Sequence, residues 1–413
     1  MYIKTRHKNP FASMRIERKI WDRTQVMDKV WEILLYLTCL FPFTMWIPVF
    51  NTATDTQPYA FVVSALIIGY YFLIDGYKKS NRLMSKTVCA LFLICLLMGT
   101  LAIVAIPEYG IVRVAKQYVM YMSVIAIPYA ASLVWKRNGG MNESLIKASI
   151  WIWFASGMIQ KTINNNFGSR FVMRQSTSAI RGVVGLATEP SAYGFYCFFV
   201  LLLVLAFQKQ RLLYAGLLLV QIFVLAESSV SVVYFGVYIA GYVINEILLH
   251  KRFAFLKAAT VTIGGLCAVY YAYQKKLLPF RMQTLLGYIF HGQWDRLLRD
   301  GSIEERIGGI TDSFSVFWQN YGLPDGFGHE RYFSGVGILI AEGGIISIVL
   351  LFIIGKLIWQ AYPKKYRFIF VFGFMITMLS AIPFSSPIVC FYLGYCAYMG
   401  QVKNADQKGV GNE

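Results

Sequence analysis

Charge is scarce in this sequence, and histidine is scarcer: 15% of its 413 residues are Asp, Glu, Lys or Arg, and four are His. The histidines, His7, His250, His291 and His329, are too scattered to suggest a zinc cluster. The seven cysteines (Cys39, Cys89, Cys95, Cys197, Cys267, Cys390, Cys396) are odd in number, contain no CxxC pair and all fall in apolar stretches. They read as packing residues, with no disulfide framework or thiolate metal site. No glycine-rich phosphate loop or dinucleotide fingerprint occurs; GGLCAV and GVGILIAEGG lie inside apolar runs, where small residues let helices approach. The polar, basic N-terminus lacks a small-residue cleavage site before a short apolar core, and therefore reads as a cytosolic tail and not a signal peptide.

What the sequence has is hydrocarbon. Hydrophobic residues make up 57% of it, in blocks from about residue 30 to residue 400, the signature of a polytopic membrane protein. At roughly twenty residues per span, twelve spans are expected: 30–50, 59–75, 87–107, 118–135, 148–163, 189–207, 212–226, 231–249, 253–273, 333–357, 368–384 and 387–401. The fold expectation is an all-α bundle over 30–401 between cytosolic tails at 1–29 and 402–413, with external loops at 160–188 and 274–331. The second loop is 58 residues long and separates spans nine and ten. The short span at 212–226 continues either as a tight turn or as a broken helix through Glu227 and Ser228.

The net charge of +18 would suggest nucleic acid in a soluble protein; here it is mostly topology. With both termini inside, 26 of the 39 Lys and Arg fall on inner segments, as the positive-inside rule requires. The other 13 do not obey that rule, and nine of them are Arg (Arg113, Arg170, Arg174, Arg181, Arg281, Arg296, Arg299, Arg306, Arg331). The inner side has nine Arg against 17 Lys. Arginine's rigid fork binds phosphate and carboxylate through two hydrogen bonds, so the outer face reads as built to hold an anion.

Within it, RGVVGLATEPSAYGF (181–195) sets Arg181 and Glu189 beside an apolar run. Thr188 can cap and Pro190 suits a first helical turn, so a helix is predicted to start near Glu189, its positive end toward the outer leaflet beside Arg181. A structural Arg181–Glu189 pair is the competing account. Arg306 lies in SIEERIGG, where the two glutamates could equally make it a solvated charge pair; Arg296 and Arg299 share a helical face that suits either a pyrophosphate or lipid headgroups. Ile307, Ile310, Phe314, Phe317 and Tyr321 recur at spacings of 3, 4, 3 and 4. That pattern predicts an amphipathic helix, lying in the interface, capping a cavity or packed onto the bundle. His329 and Arg331 precede the tenth span; a histidine there suits a general base, with His291 as its rival. Glu342, followed by two glycines, reads as a hydrogen-bonded carboxylate at a close helix contact. His250 reads as an inner anchor, and for Glu227 capping and catalysis both stand.

RGVVGLATEPSAYGF resembles the Arg-x-x-x-Gly-Leu…Glu-Pro-Ser segment of bacterial O-antigen and exopolysaccharide polymerases. AESSVSVVYFGVY, SIEERIGG and GFGHERYFSGVGILIAEGGI are similar to later landmarks of that Wzy-type superfamily, in the same order. The resemblance implies a GT-C type glycosyltransferase in the bacterial inner membrane with its site facing the periplasm or exterior. It further implies transfer of a glycan from undecaprenyl pyrophosphate to a sugar hydroxyl, without nucleotide sugar, metal or other cofactor. By position, Arg181 and Arg306 match the pyrophosphate-holding arginines, with Arg170, Arg174, Arg296, Arg299 and Arg331 as further candidates. Glu189 matches the Glu-Pro-Ser acid, and His329 falls where the related ligases have the histidine credited with activating the acceptor. The implied partners are the lipid-linked oligosaccharide, membrane lipid and a chain-length regulator protein; nucleic acid is not among them.

Three rivals stand beside a polymerase. A ligase would move finished glycan to a different acceptor. A lipid-linked oligosaccharide flippase would be expected to show charges along a midplane pathway and two comparable halves, which the loop between spans nine and ten breaks. A membrane acyltransferase would want a histidine inside a span, and none is predicted there.

Overall fold

The chain is all-α. The computed structural model describes residues 10–44, 58–80, 111–172, 175, 182–249, 254–278, 280–326, 334–379 and 383–410. Along these the helices are α1 (Pro10–Leu40), α2 (Tyr59–Ser80), α3 (Ile111–Asn138), α4 (Glu143–Thr162), α5 (Pro190–Val204), α6 (Arg211–Val220) and α7 (Ser229–Leu249). They continue as α8 (Ala254–Gln274), α9 (Phe280–Phe290), α10 (Trp294–Leu298), α11 (Gly301–Gln319), α12 (Gly335–Ala361), α13 (Arg367–Thr377) and α14 (Pro387–Val410). Among the described residues the one β pairing is an isolated bridge between Thr44 and Val172. Helices stand at eleven of the twelve apolar runs; the run at 87–107 lies outside the described residues. Among the described residues two helices, Gln117–Asn138 and Gly335–Ala361, are long and apolar enough to cross a membrane.

α5 is the centre of the packing. Its sequence, PSAYGFYCFFVLLLV, is apolar all round, and every residue but Ser191 is buried, as expected of a helix with no polar face to present. Protein therefore covers the run that follows Glu189. On one side Trp153 of α4 stacks on Tyr196 and Tyr193 at ring-centroid distances of 4.1 and 5.3 Å. On the other, Phe199 meets Tyr392 of α14 at 5.6 Å and Phe374 of α13 at 6.1 Å. Such pairs contribute about 0.5–1.5 kcal/mol each beyond the area they bury. The buried hydroxyls are satisfied too: Tyr193 donates to the Trp153 carbonyl at 3.1 Å, and Tyr196 to Ser149 Oγ at 3.2 Å. Large apolar side chains instead face outward elsewhere, with Leu73, Leu212 and Phe352 all at least 75% exposed.

The run at 212–226 ends in a tight turn. α6 widens into one π-helical turn over Gln221–Leu225, and Glu227 follows with φ 48°. The amphipathic helix expected around Ile307 is α11, but its packed face differs from the apolar stripe. Ile307 and Phe314 are exposed, and Tyr321 lies beyond the helix end at φ 53°. Gly309 and Ser313 are buried instead, against Gly337 at the start of α12. Small residues win that face because they let the two backbones approach; Ile310 and Phe317 stay half-buried, and Ile307 and Phe314 are left outside.

Candidate functional site

Residues 182–188 form a strap across one end of the bundle, and its fastening begins at Gln160 in the last turn of α4. The Gln160 side chain is buried; Oε1 accepts from the backbone N–H groups of Val184 (3.0 Å) and Gly185 (2.7 Å), and Nε2 donates to the Phe167 carbonyl at 2.6 Å. Gln175 Nε2 donates to the Gly185 carbonyl at 3.1 Å. From the opposite side Val183 N–H donates to the Leu225 carbonyl at 2.8 Å, exposed by the π turn. Glycine is required at 182, because a Cβ there would sit 2.1 Å from the Ala226 carbonyl oxygen. A buried backbone polar group left unpaired costs ~1–3 kcal/mol, so these partners fix the strap's height between α4 and the 225–228 turn.

Two carboxylates stand at this end. Glu189 is the N-cap residue of α5 and is exposed. Its side chain makes no capping bond to the helix; its carboxylate accepts from the Ser191 hydroxyl. The expected helix start is thus found with Pro190 as the first helical residue, but Glu189 and not Thr188 occupies the cap, and Thr188 is buried one residue earlier. Glu227 pairs with Lys161 at 3.2 Å, and Lys161 also donates to the Val224 carbonyl at 2.7 Å. The first turns of α5 and α7 meet here. A Cβ on Gly194 would stand 2.4 Å from Ser231 Oγ, so only hydrogen fits between them. Arg181, directly before the strap, lies outside the described residues, as does Arg174; Arg170 is exposed in the loop that leads to the strap.

A second constellation is built on α12. Gly344 has φ 53° and ψ −138° inside that helix, which breaks it in two. Residues 322–326 enter the break: Ile345 N–H donates to the Gly322 carbonyl at 2.9 Å, while Asp325 and Gly326 N–H donate to the carbonyls of Ala341 and Glu342 at 3.2 and 3.3 Å. A Cβ on Gly344 would lie 2.5 Å from the Gly322 oxygen. The pair Gly343–Gly344 therefore admits a loop and does not serve to bring two helices together. Glu342, beside the break, is buried and hydrogen-bonded as expected: both carboxylate oxygens lie 3.2 Å from Gln117 Nε2, and Oε2 also accepts from Tyr121. Gln117 and Tyr121 are one turn apart on α3, which places both on one face.

Arg306 is half-buried on α11, one turn before Gly309 on the face that meets α12, and its Nε is buried without a hydrogen-bond partner among the described residues. His329 and Arg331 lie outside the described residues, in the connection between the 322–326 segment and the Ser334 cap of α12. Arg296 and Arg299 are exposed on α10 and its C-cap, where Arg296 Nη1 donates to Gln293 Oε1 at 3.3 Å. His291 is exposed, with Nδ1 2.7 Å from the Gly287 carbonyl. No group of three or more His, Cys, Asp or Glu among the described residues could hold a metal ion.

The structure thus sets Glu189 directly after the strap, pairs Lys161 with Glu227 at the turn that holds the strap's other side, and sets Arg306 on the face nearest the α12 start. Gln160, Lys161, Gln117 and Tyr121 were not singled out from sequence. Gln160 and Gln117 left one usable signal, an amide within or at the edge of an apolar run. Searches against protein-family models and against curated proteins find no match for the chain.

Proposed function

We propose that this chain is a membrane-embedded glycosyltransferase of the polysaccharide-polymerase type. It transfers glycan from a polyprenyl-pyrophosphate donor to the terminal sugar of a second lipid-linked repeat unit at the external face. The observation that carries the reading is the strap: the segment following Arg181 is fastened through its backbone from two sides and leaves Glu189 exposed at the first turn of α5. The outward-facing apolar side chains favour a lipid setting, since soluble proteins rarely expose such patches.

In this reading Arg181 and Arg306 hold the pyrophosphate. Negative charge develops on it as the glycosidic bond breaks, and preorganised cations in a water-poor site stabilise that charge. Arg306 fits the role through a half-buried guanidinium whose Nε has no protein acceptor among the described residues. The first turns of α5 and α7 add positive helix ends. Glu189 accepts the proton of the attacking hydroxyl or hands that task to His329; direct displacement inverts the anomeric centre. Glu227 is a structural partner of Lys161 in this account, because its carboxylate is engaged at the turn.

Purified protein supplied with lipid-linked repeat units alone tests the proposal. A ladder of lengthening products is expected; product only after a second acceptor is added means a ligase, and movement of the lipid across vesicles without elongation means a flippase. Arg181→Ala and Arg306→Ala are expected to abolish growth at unchanged expression, and near-normal ladders from both would sink the pyrophosphate assignment. His329→Ala tests the base: retained activity moves the proton to Glu189 or to water.

A further inference from the structure

α8 leaves Leu256, Ile263, Leu266 and Tyr271 exposed, apolar side chains that nothing among the described residues covers. α9 lies against its last turn. Gln283 Nε2 donates to the Tyr273 carbonyl at 2.7 Å, and the Phe290 ring stands 5.0 Å from Tyr273 and 5.3 Å from Tyr270. The α9 contacts are seven residues apart, about 10 Å of helix, whereas those on α8 are three apart, roughly 4.5 Å. α9 therefore crosses α8 instead of running beside it. With α8 as a membrane span, α9 lies along the membrane surface at the depth of the span's final turn.

The composition of this hairpin suits that depth. Leu277, Phe280, Trp294 and Leu298 are exposed, and Lys275, Lys276, Arg296 and Arg299 are exposed among them. Within 275–299 Asp295 is the one carboxylate, exposed, against the four exposed cations; Asp300 just beyond is engaged by Arg281, and the exposed Glu304 and Glu305 lie on the next helix, α11. We propose that residues 275–299 are an interfacial anchor for anionic phospholipid: the apolar side chains enter the acyl boundary and the cations meet headgroup phosphates. The surface continues the uncovered apolar face of α8. A second copy of the chain is a poor occupant, because a symmetric contact would set the same four cations against one another. The anchor rests on the membrane reading given above, and it takes Arg296 and Arg299 out of the pyrophosphate site.

Trp294 is the probe. The full chain goes into nanodiscs of mixed phosphatidylglycerol and phosphatidylcholine in which one lipid at a time has acyl chains brominated near the headgroup or near the methyl end. Subtracting the emission of Trp294→Phe isolates the Trp294 signal. It is expected to be quenched most by shallow bromine and more by brominated phosphatidylglycerol than by brominated phosphatidylcholine. Arg296→Gln and Arg299→Gln should each lower that preference by about fivefold, the worth of one cation at an anionic surface. Unquenched Trp294 that aqueous iodide reaches freely, in a chain that stays in the disc, overturns the anchor alone. Shielded Trp294 with doubled particle mass overturns it in favour of self-association. A chain that alkaline carbonate strips from native membranes overturns the anchor and the membrane reading together.

Discussion

Gly182→Ala concentrates the reasoning into one methyl group. The added carbon would sit 2.1 Å from the Ala226 oxygen, 2.3 Å from its carbonyl carbon and 2.6 Å from the Leu225 oxygen. All three are backbone atoms of a turn that Glu227 already holds in the left-handed region, so neither wall yields by a rotamer change. Restoring an ordinary carbon–oxygen contact of about 3.2 Å requires a shift of roughly 1 Å, enough to break the Val183–Leu225 bond and strand a buried donor at ~1–3 kcal/mol. The change falls next to Arg181, and a 1 Å misplacement of a reacting or charge-stabilising group costs on the order of 10²-fold in rate. The expected outcome is normal membrane expression, accelerated amide exchange at Val183 and Val184, and polymerisation down by about 10²-fold. Gly216→Ala, where nothing lies within 4 Å of the new carbon, is the matched control and should leave both readouts unchanged. Wild-type exchange at Val183 in Gly182→Ala would refute the strap geometry, while fast exchange with undiminished elongation would detach the strap from catalysis.

Gln160→Leu keeps the volume but removes the acceptor of two N–H groups; a destabilisation of ~2–4 kcal/mol is expected in denaturant titration of the detergent-solubilised chain, and Gln160→Glu, which restores an acceptor, should recover part of it. Glu342→Ala leaves Gln117 and Tyr121 facing a cavity and should lower the thermal midpoint by several degrees, whereas Glu342→Gln keeps the size and an acceptor and should cost less; equal losses would mean that the carboxylate's contacts are incidental. Burial alone would raise the Glu143 carboxyl, but the Gln208 N–H at 2.8 Å and Lys147 at 3.0 Å outweigh it and hold its pKa below the ordinary value. A depressed pKa stabilises the fold above the unfolded value of about 4.3 and gives that contribution up as pH falls through the folded one. Glu143→Gln should therefore show a shallower loss of stability on acidification, and superimposable acid limbs would refute the assignment.

Local signals carried well from sequence to structure. Pro190 marked the start of α5 to within a residue, because a proline's fixed φ and missing N–H suit the first helical turn, although Glu189 and not Thr188 takes the cap. The 3.6-residue spacing from Ile307 onward was enough for α11, although the helix starts at Gly301 and takes in Arg306, which the sequence had put in the loop before it; Glu227 ended its run at a turn. Misreadings arose where a distant backbone decided the matter. The α11 stripe pointed to Ile307 and Phe314, yet Gly309 and Ser313 pack because Gly337 allows the axes to close up, and nothing local to α11 encodes that. Gly344 looked like a helix-contact residue and proved to be a break, since only the placement of Gly322 makes its left-handed φ pay. Gln160 serves residues 7 to 25 positions away, so its role has no period to detect.

The break in α12 also bears on how such a chain can change. Residues 322–326 meet it through three main-chain hydrogen bonds, two from N–H donors and one to a carbonyl, and the Leu323 side chain projects into the open. Main-chain attachment is indifferent to side-chain identity. Mutational drift can thus rewrite what the segment displays without loosening where it sits, provided the glycines at 322 and 344 persist. A scaffold of that kind separates inheritance of architecture from inheritance of surface chemistry, and lineages sharing the architecture can lose recognisable sequence kinship in the segment while keeping its geometry.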